Sequence, residues 1–223
     1  MNKETLRTSL SKWTFEFFLI VIGVTIALWL ENIAEENKER QIEQEYMLSF
    51  QGDVSKDIVR LQNNIKNNSE IVKQVEAFLG KMMKGEITEE NLLSEVGSMM
   101  HYDYFSPDDF TLSSIKASGD FRLLRDPLVK RKILQLRRAY DEIDVLQQNF
   151  QKALDSQIVP MFIENIDMTR GKVINPDFIR DHRLANIAGY TISDLNGRIA
   201  WYRKTLKIAQ SLDQLLIAKT YVE

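Results

Sequence analysis

The polar and apolar positions divide the chain into stretches of different periodicity. Residues 17–30 are apolar throughout except for Thr25, whose hydroxyl can bond back to its own helix. At 1.5 Å of rise per residue, a ~30 Å hydrocarbon core takes about 20 such residues. Trp13 and Trp29 bracket the run in the manner of interfacial aromatics. Residues 13–30 therefore read as one transmembrane helix, slightly short and completed by snorkelling flanks or a thinned bilayer. A cleaved signal peptide would end in a small-x-small site. No small residue stands three positions before Ala34, so an uncleaved anchor is the expectation.

Residues 31–46 are polar almost all round, interrupted mainly by Ile33, Ala34 and Ile42. Neither Gly nor Pro occurs between Trp29 and Gln51, which predicts that the membrane helix runs on as a stalk. Such a stalk would lift the C-terminal domain by roughly 20 Å. From Met47 the spacing becomes regular: Met47, Phe50, Val54, Ile58, Leu61 and Ile65, then Val72, Val75, Leu79 and Met82. Steps of three and four mark one buried helical face. A coiled coil between copies would produce this stripe, and so would packing on the chain's own later helices; matching stripes downstream favour the second.

Gly80 and Gly85 place the end of that helix. Thr88 with Glu89 and Glu90 starts a short helix that runs to about Met100. Ser106-Pro107-Asp108-Asp109, Asp126-Pro127 and Asn175-Pro176-Asp177 each read as a helix start of cap, proline and acid, and Gly119 as a stop. A long helix follows Pro127 with the stripe Val129, Ile133, Leu136, Tyr140, Ile143, Phe150 and Leu154. Pro160 ends or kinks it, and residues 161–183 are the least regular part of the chain. A last helix is expected over residues 193–221, with the stripe Leu195, Ile199, Tyr202, Leu206, Ala209, Leu212 and Leu216. The predicted fold class is all-α: one N-terminal transmembrane helix continuing into an elongated antiparallel helical bundle. Its parts are a cytoplasmic N-terminal segment (1–12), the transmembrane helix (13–30), a helical stalk (31–46) and an extracytoplasmic helical bundle (47–223).

Composition narrows the function classes. Of the 223 residues, about 190 lie beyond the anchor, enough for one domain with a real core. The net charge of -3 gives no basic field, so no nucleic-acid partner is expected. The chain has no cysteine, which excludes disulfides, thiolate metal sites and a cysteine nucleophile. Lys3, Arg7 and Lys12 precede the span against Glu4 alone, whereas Glu31, Glu35, Glu36 and Glu39 crowd its other end. The positive flank stays cytoplasmic, so the C-terminal domain faces outward, into the periplasm in a Gram-negative cell.

Inside the span, Glu16, Gly23 and Ala27 share one helical stripe. Gly23-x-x-x-Ala27 is a small-xxx-small pattern that lets another helix approach, although both residues are common in membrane helices anyway. An ionisable group near hydrocarbon marks assembly or function, while Glu16 is also shallow enough to reach the head groups. These residues make the span a candidate helix–helix contact, with a homo-oligomer or a membrane-complex partner implied. Tyr102, Tyr104, Phe105 and Phe110 form an aromatic cluster that is either a partner patch or the cap of a bundle core. His101 near Asp103, Asp108 and Asp109, and His182 near Asp177 and Asp181, could contribute to a metal or acid–base site, but the Asp-rich helix starts explain the acids without one. Lys130, Arg131, Lys132, Arg137 and Arg138 could bind an anion or anionic lipid, or simply face solvent. No phosphate loop, G-x-S-x-G or H-E-x-x-H motif occurs, and no enzyme activity, metal or cofactor is expected.

Around the anchor the pattern E-x-x-L-x-x-I-G-x-x-I-A-L stands as Glu16, Leu19, Ile22, Gly23, Ile26, Ala27 and Leu28, followed by Glu39-Arg40 and Glu45-Tyr46 in the stalk. Leu112, Ser118, Gly119 and Leu124 form a second segment ahead of a helix rich in Tyr and Arg. On these residues the chain resembles a family of single-pass Bacteroidota membrane proteins classed as a domain of unknown function. The family's asparagine-rich NNWNE after the anchor is altered here to the sequence beginning Leu30-Glu31-Asn32. The resemblance implies an inner-membrane location and supplies no activity. The leading expectation is a non-enzymatic, membrane-anchored interaction or scaffold subunit of a cell-envelope assembly. A sensor or ligand-binding bundle that signals through a partner is the alternative, since residues 1–12 carry no output domain. An ion-coupled complex subunit using Glu16 is third.

Overall fold

The chain is organised by a single helix, α1 (Lys3–Lys84), which runs for 82 residues without a break. That is a rod of about 120 Å. The computed structural model describes the backbone of residues 3–100 and 103–220, and the side chains of those residues other than 3–12, Thr14 and Ser98. The predicted span, the stalk and the first apolar stripe are thus one element. Within the span Thr25 Oγ1 donates to the Val21 carbonyl at 2.7 Å, which satisfies the one hydroxyl in an apolar run. The helix ends where Gly85 takes a φ of 69°, in the left-handed region that glycine enters without strain.

The remaining elements fold back along this rod. They are α2 (Glu89–Met100), α3 (Phe110–Ser118), a 3₁₀ turn (Asp120–Arg122) and α4 (Pro127–Ala153). A π-helical turn (Leu154–Ile158), α5 (Val159–Asn165), β1 (Ile166–Asp167) and β2 (Lys172–Val173) come next, then a 3₁₀ segment (Pro176–Arg180) and α6 (His182–Thr220). The two strands are antiparallel, with Ile166 opposite Val173 and Asp167 opposite Lys172. The fold is all-α apart from this small hairpin, and its N-terminal helix is long and apolar enough to cross a membrane.

Four contacts fix the directions of the long helices. Tyr140 bonds Asp57, Ser55 bonds Asp213, Tyr202 bonds Gln147, and Lys219 pairs with Asp126. Hence α1 and α4 run away from the span and α6 returns between them toward it. The stripe that begins at Met47 packs on the chain's own later helices. It builds two apolar clusters. The one nearer the span contains Phe50, Val54, Leu61, Ile133, Leu136 and Leu212. The farther one contains Val75, Phe78, Leu92, Phe162, Phe178 and Leu195. Ile65 packs against both.

Local signals succeed or fail for identifiable reasons. Asp126 caps α4 as expected, accepting from the amides of Leu128 (2.7 Å) and Val129 (3.2 Å), with Pro127 at the first helical position. Gly119 ends α3 with a φ of 78°. Ser106-Pro107-Asp108-Asp109, however, is not a helix start. The helix begins only at Phe110, and the amide of Thr111 is capped from another element, by Asp53 of α1 at 3.1 Å. Pro160 does not stop the chain from being helical; the π turn ahead of it absorbs the missing donor, and α5 continues. The last helix starts at His182, ahead of the expected residue 193. Asp181 accepts from the Arg183 amide, and Leu184, Ala188 and Thr191 extend the buried stripe past Gly189.

The outer part of the stalk is not bare. Arg125, in the turn before α4, lies 3.4 Å from Glu36, 3.1 Å from Glu39 and 3.9 Å from Glu43. Tyr46 donates to Asp120 in the same turn at 2.7 Å. The domain therefore already rests on α1 at Glu36, within about 10 Å of helix rise from Trp29.

Candidate functional site

The first predicted site is the stripe in the span. Glu16, Gly23 and Ala27 are all solvent-exposed, and a Cβ built on Gly23 would meet nothing within 4 Å. The neighbouring apolar residues are just as uncovered; Phe17 is 63% exposed and Ile22 is 53% exposed. No other described element of the chain covers this face. Lipid or another helix can do so.

The aromatic cluster separates. Tyr102 and His101 lie outside the described residues. Phe105 is a core residue, 3% exposed, with its ring 5.3 Å from that of Tyr140 and 6.3 Å from that of Tyr202. Tyr104 donates to the Gln151 side chain on α4. Phe110 is 76% exposed at the start of α3. His182 is likewise exposed, beside Asp181, which serves the α6 start by bonding Arg183.

Around Phe105 lies an arrangement that the apolar stripes did not announce. Residues 103–109 form neither helix nor strand and are laid between α1 and α4. Two buried amides hold its backbone. Gln147 of α4 accepts from the Phe105 N–H at 2.7 Å and donates to the Phe105 carbonyl at 3.0 Å. Asn68 of α1 accepts from the Asp103 N–H at 3.3 Å and donates to its carbonyl at 3.1 Å. Two carboxylates of α1 complete the clasp: Asp57 takes the Asp108 N–H at 2.9 Å, and Asp53 takes that of Thr111. A backbone outside helix and sheet has no regular partner for its N–H and C=O groups, and these side chains supply one.

Asp57 is 1% exposed. It also accepts from the Tyr140 hydroxyl at 2.7 Å and stands 3.4 Å from Arg60 Nη1. Burial pushes its carboxyl above the usual range, against the pull of these donors. Burial and the same carboxylate raise the Tyr140 hydroxyl in turn. Farther along, Arg198 is 1% exposed and paired with Asp194 at 2.7 Å, with its guanidinium 4.6 Å from the Phe150 ring centre. Burial raises the Asp194 carboxyl while Arg198 holds it down in part. Tyr202, which donates to Gln147, is pushed up to about 12, chiefly by burial. Asp57 and Tyr140 thus stand at the level of the cluster nearer the span, and Asp194 and Arg198 alternate along α6 with Leu195 and Ile199 of the farther one. The space beside Asp57, Tyr140, Leu112 and Arg137 is about 30 Å³, room for a water or two.

The basic run divides as well. Lys130 stands 5.8 Å over the Phe121 ring, and Arg137 pairs with Asp109 and Asp141, each at 2.9 Å. Arg131 and Arg138 line a groove between α4 and α6. No family model, curated protein or solved structure matches this chain.

Proposed function

We propose that this chain is a non-enzymatic, membrane-anchored helical interaction subunit of a cell-envelope assembly. Residues 13–30 hold it in the inner membrane, with the N-terminus cytoplasmic and the helical domain in the periplasm. It meets a second copy or a membrane partner through the face of Glu16, Gly23 and Ala27. The location, and kinship with the Bacteroidota single-pass group, belong to the same proposal.

One observation supports this reading above others. The uncovered span and the wall of the folded domain are the same unbroken helix, α1. A helix that packs on Gly23 therefore acts on a rod that carries the domain's core residues from Met47 to Phe78. The space beside Asp57 is too small for an organic ligand, which occupies about 300 Å³ or more.

The test uses the full-length protein, extracted gently from its own membrane. Gly23→Ile and Glu16→Ala are expected to change its oligomeric state or its co-purifying partners. A protein that is monomeric and partner-free, with or without those substitutions, overturns the reading and leaves the span as a tether.

A further inference from the structure

Between α4 and α6 runs a groove of about 660 Å³. Its floor is apolar: Leu134 (42% exposed), Ala139, Trp201 and Ile208. Its rims are mainly cationic, with Arg131 and Arg138 from α4 and Lys204 from α6, against the single acid Glu142. The Lys204 ammonium stands 3.9 Å over the Trp201 ring centre, which holds the cation against the apolar floor. Most of the lining side chains are exposed, and the trough lies open along two helices. Enclosed cavities suit small molecules, whereas an open trough between two helices suits a third helix.

Height decides among the occupants. Tyr140 is level with Asp57, and Asp213 with Ser55, so the groove stands roughly 40 Å beyond Trp29 along α1. Lipid head groups at Trp29 do not reach it. A second copy anchored in the same bilayer presents its own residues of the same height. The exposed side chains of that height on α1 and α6 include Lys56, Arg60, Lys66, Arg203 and Lys207, of the same sign as the groove, whereas the exposed acids Asp141 and Asp144 lie on α4, the helix that carries the groove itself. The acidic stalk of a second copy, residues 31–45, lies nearer the membrane.

We propose that the α4/α6 groove docks an acidic amphipathic helix of a different protein. Its aliphatic stripe lies on Leu134, Trp201 and Ile208, and its Asp and Glu flanks face Arg131, Arg138 and Lys204. This rests on the reading of the chain as an interaction subunit and names the surface that reading lacks.

The chain has three tryptophans, and only Trp201 lies outside the span. Full-length protein in detergent micelles, carrying Trp13→Phe and Trp29→Phe, therefore reports on the groove by its emission. The probes are a designed helical peptide with a leucine stripe and glutamate flanks, the same peptide with lysine flanks, and inorganic phosphate. The expected result is an emission shift with the acidic peptide alone. Its Kd should rise about tenfold or more at high salt, and again in Arg138→Glu/Lys204→Glu, which should now take the lysine peptide. No shift with the acidic peptide, equal binding of both peptides, or the same shift with phosphate overturns the proposal. So does a concentration-dependent shift without peptide that Leu134→Glu abolishes, which would make the occupant a second copy. A photo-crosslinking residue at position 134 or 23 in native membranes separates the two readings. Adducts at 134 that map to an acidic helix of another protein support the groove. Adducts at 23 without any at 134 sink the groove and leave the interaction subunit standing; adducts at neither position sink both.

Discussion

The two flanks of α4 differ in what lines and fills them. Toward α1, the flank is filled by residues 103–109, and its lining is amide and carboxylate: Asn68, Gln147, Asp53 and Asp57. Toward the outer edge of α6, the flank is open, and its lining is aliphatic, aromatic and cationic. The difference arises from the backbone of the occupant. An irregular segment brings unpaired N–H and C=O groups into the interior, so polar side chains must stand at core positions to meet them. A helix satisfies its own backbone and asks only for an apolar floor with charge at the rim. Lining chemistry therefore reports the conformation of what belongs in each groove.

The largest expected effect lies within the filled flank. Phe105→Ala should destabilise the domain by about 3–5 kcal/mol, since a buried ring between Tyr140 and Tyr202 leaves a cavity. Phe110→Ala, five residues away and 76% exposed, should stay within about 0.5 kcal/mol. Chemical unfolding of both variants checks this. Similar losses at the two positions would mean that the segment is not held as described.

Next in size is the clasp itself. Gln147→Leu keeps the volume but leaves the Phe105 N–H and C=O and the Tyr202 hydroxyl without their partner, at a cost of about 2–4 kcal/mol. Amide exchange at Phe105 should become fast in the variant and stay slow in the parent. Unchanged exchange would show that the groove walls, not Gln147, protect the segment.

A smaller effect depends on pH. The folded protein holds the Asp57 carboxyl above its ordinary range, so the folded state binds the proton more tightly than the unfolded chain does. Its contribution to stability is full below the ordinary carboxylate pKa and is lost as pH rises through the raised one. Asp194 acts in the same direction, whereas Asp126 and Asp181, held low by Lys219 and Arg183, act in the opposite one. Asp57→Asn isolates the first contribution. The stability of the parent relative to this variant should increase as pH falls from neutral toward the carboxylate range. A difference that is flat with pH, or that shrinks on acidification, would contradict the burial of Asp57 as its dominant influence.

The filled flank left only gaps in the apolar stripes, a mark that the stripes themselves do not interpret. The stripe on α1 steps from Ile65 to Val72, and that on α4 from Ile143 to Phe150. Each jump spans two turns, and at its middle stand Asn68 and Gln147, polar residues in core register. The long helices, the Asp126 cap and the Gly85 and Gly119 stops were written in local chemistry. The Asp53 cap on Thr111 was not, because its partners are 58 residues apart and neither carries a local signal. Gly189 hid the first turns of α6, since a glycine on an exposed helix face weakens the pattern without ending the helix. The open groove was hidden for a further reason. Leu134 is off the α4 stripe and reads as an incidental exposed leucine until α6 brings Trp201 and Ile208 beside it.

The smallest effect is expected in that groove, and it tests the comparison from its other side. Leu134→Gln keeps helix propensity and removes one exposed apolar side chain, so the isolated protein should change by no more than about 0.5 kcal/mol. Thermal unfolding of the full chain measures this. A loss of about 2 kcal/mol or more, the scale of a core deletion, would mean that Leu134 is already packed and that the two flanks of α4 are alike. A neutral result leaves Leu134 as apolar surface that the fold does not use. Trp201 and Ile208, which pack on the core with part of their area, then carry their remaining apolar area beside three cations, as the lining of an interface does.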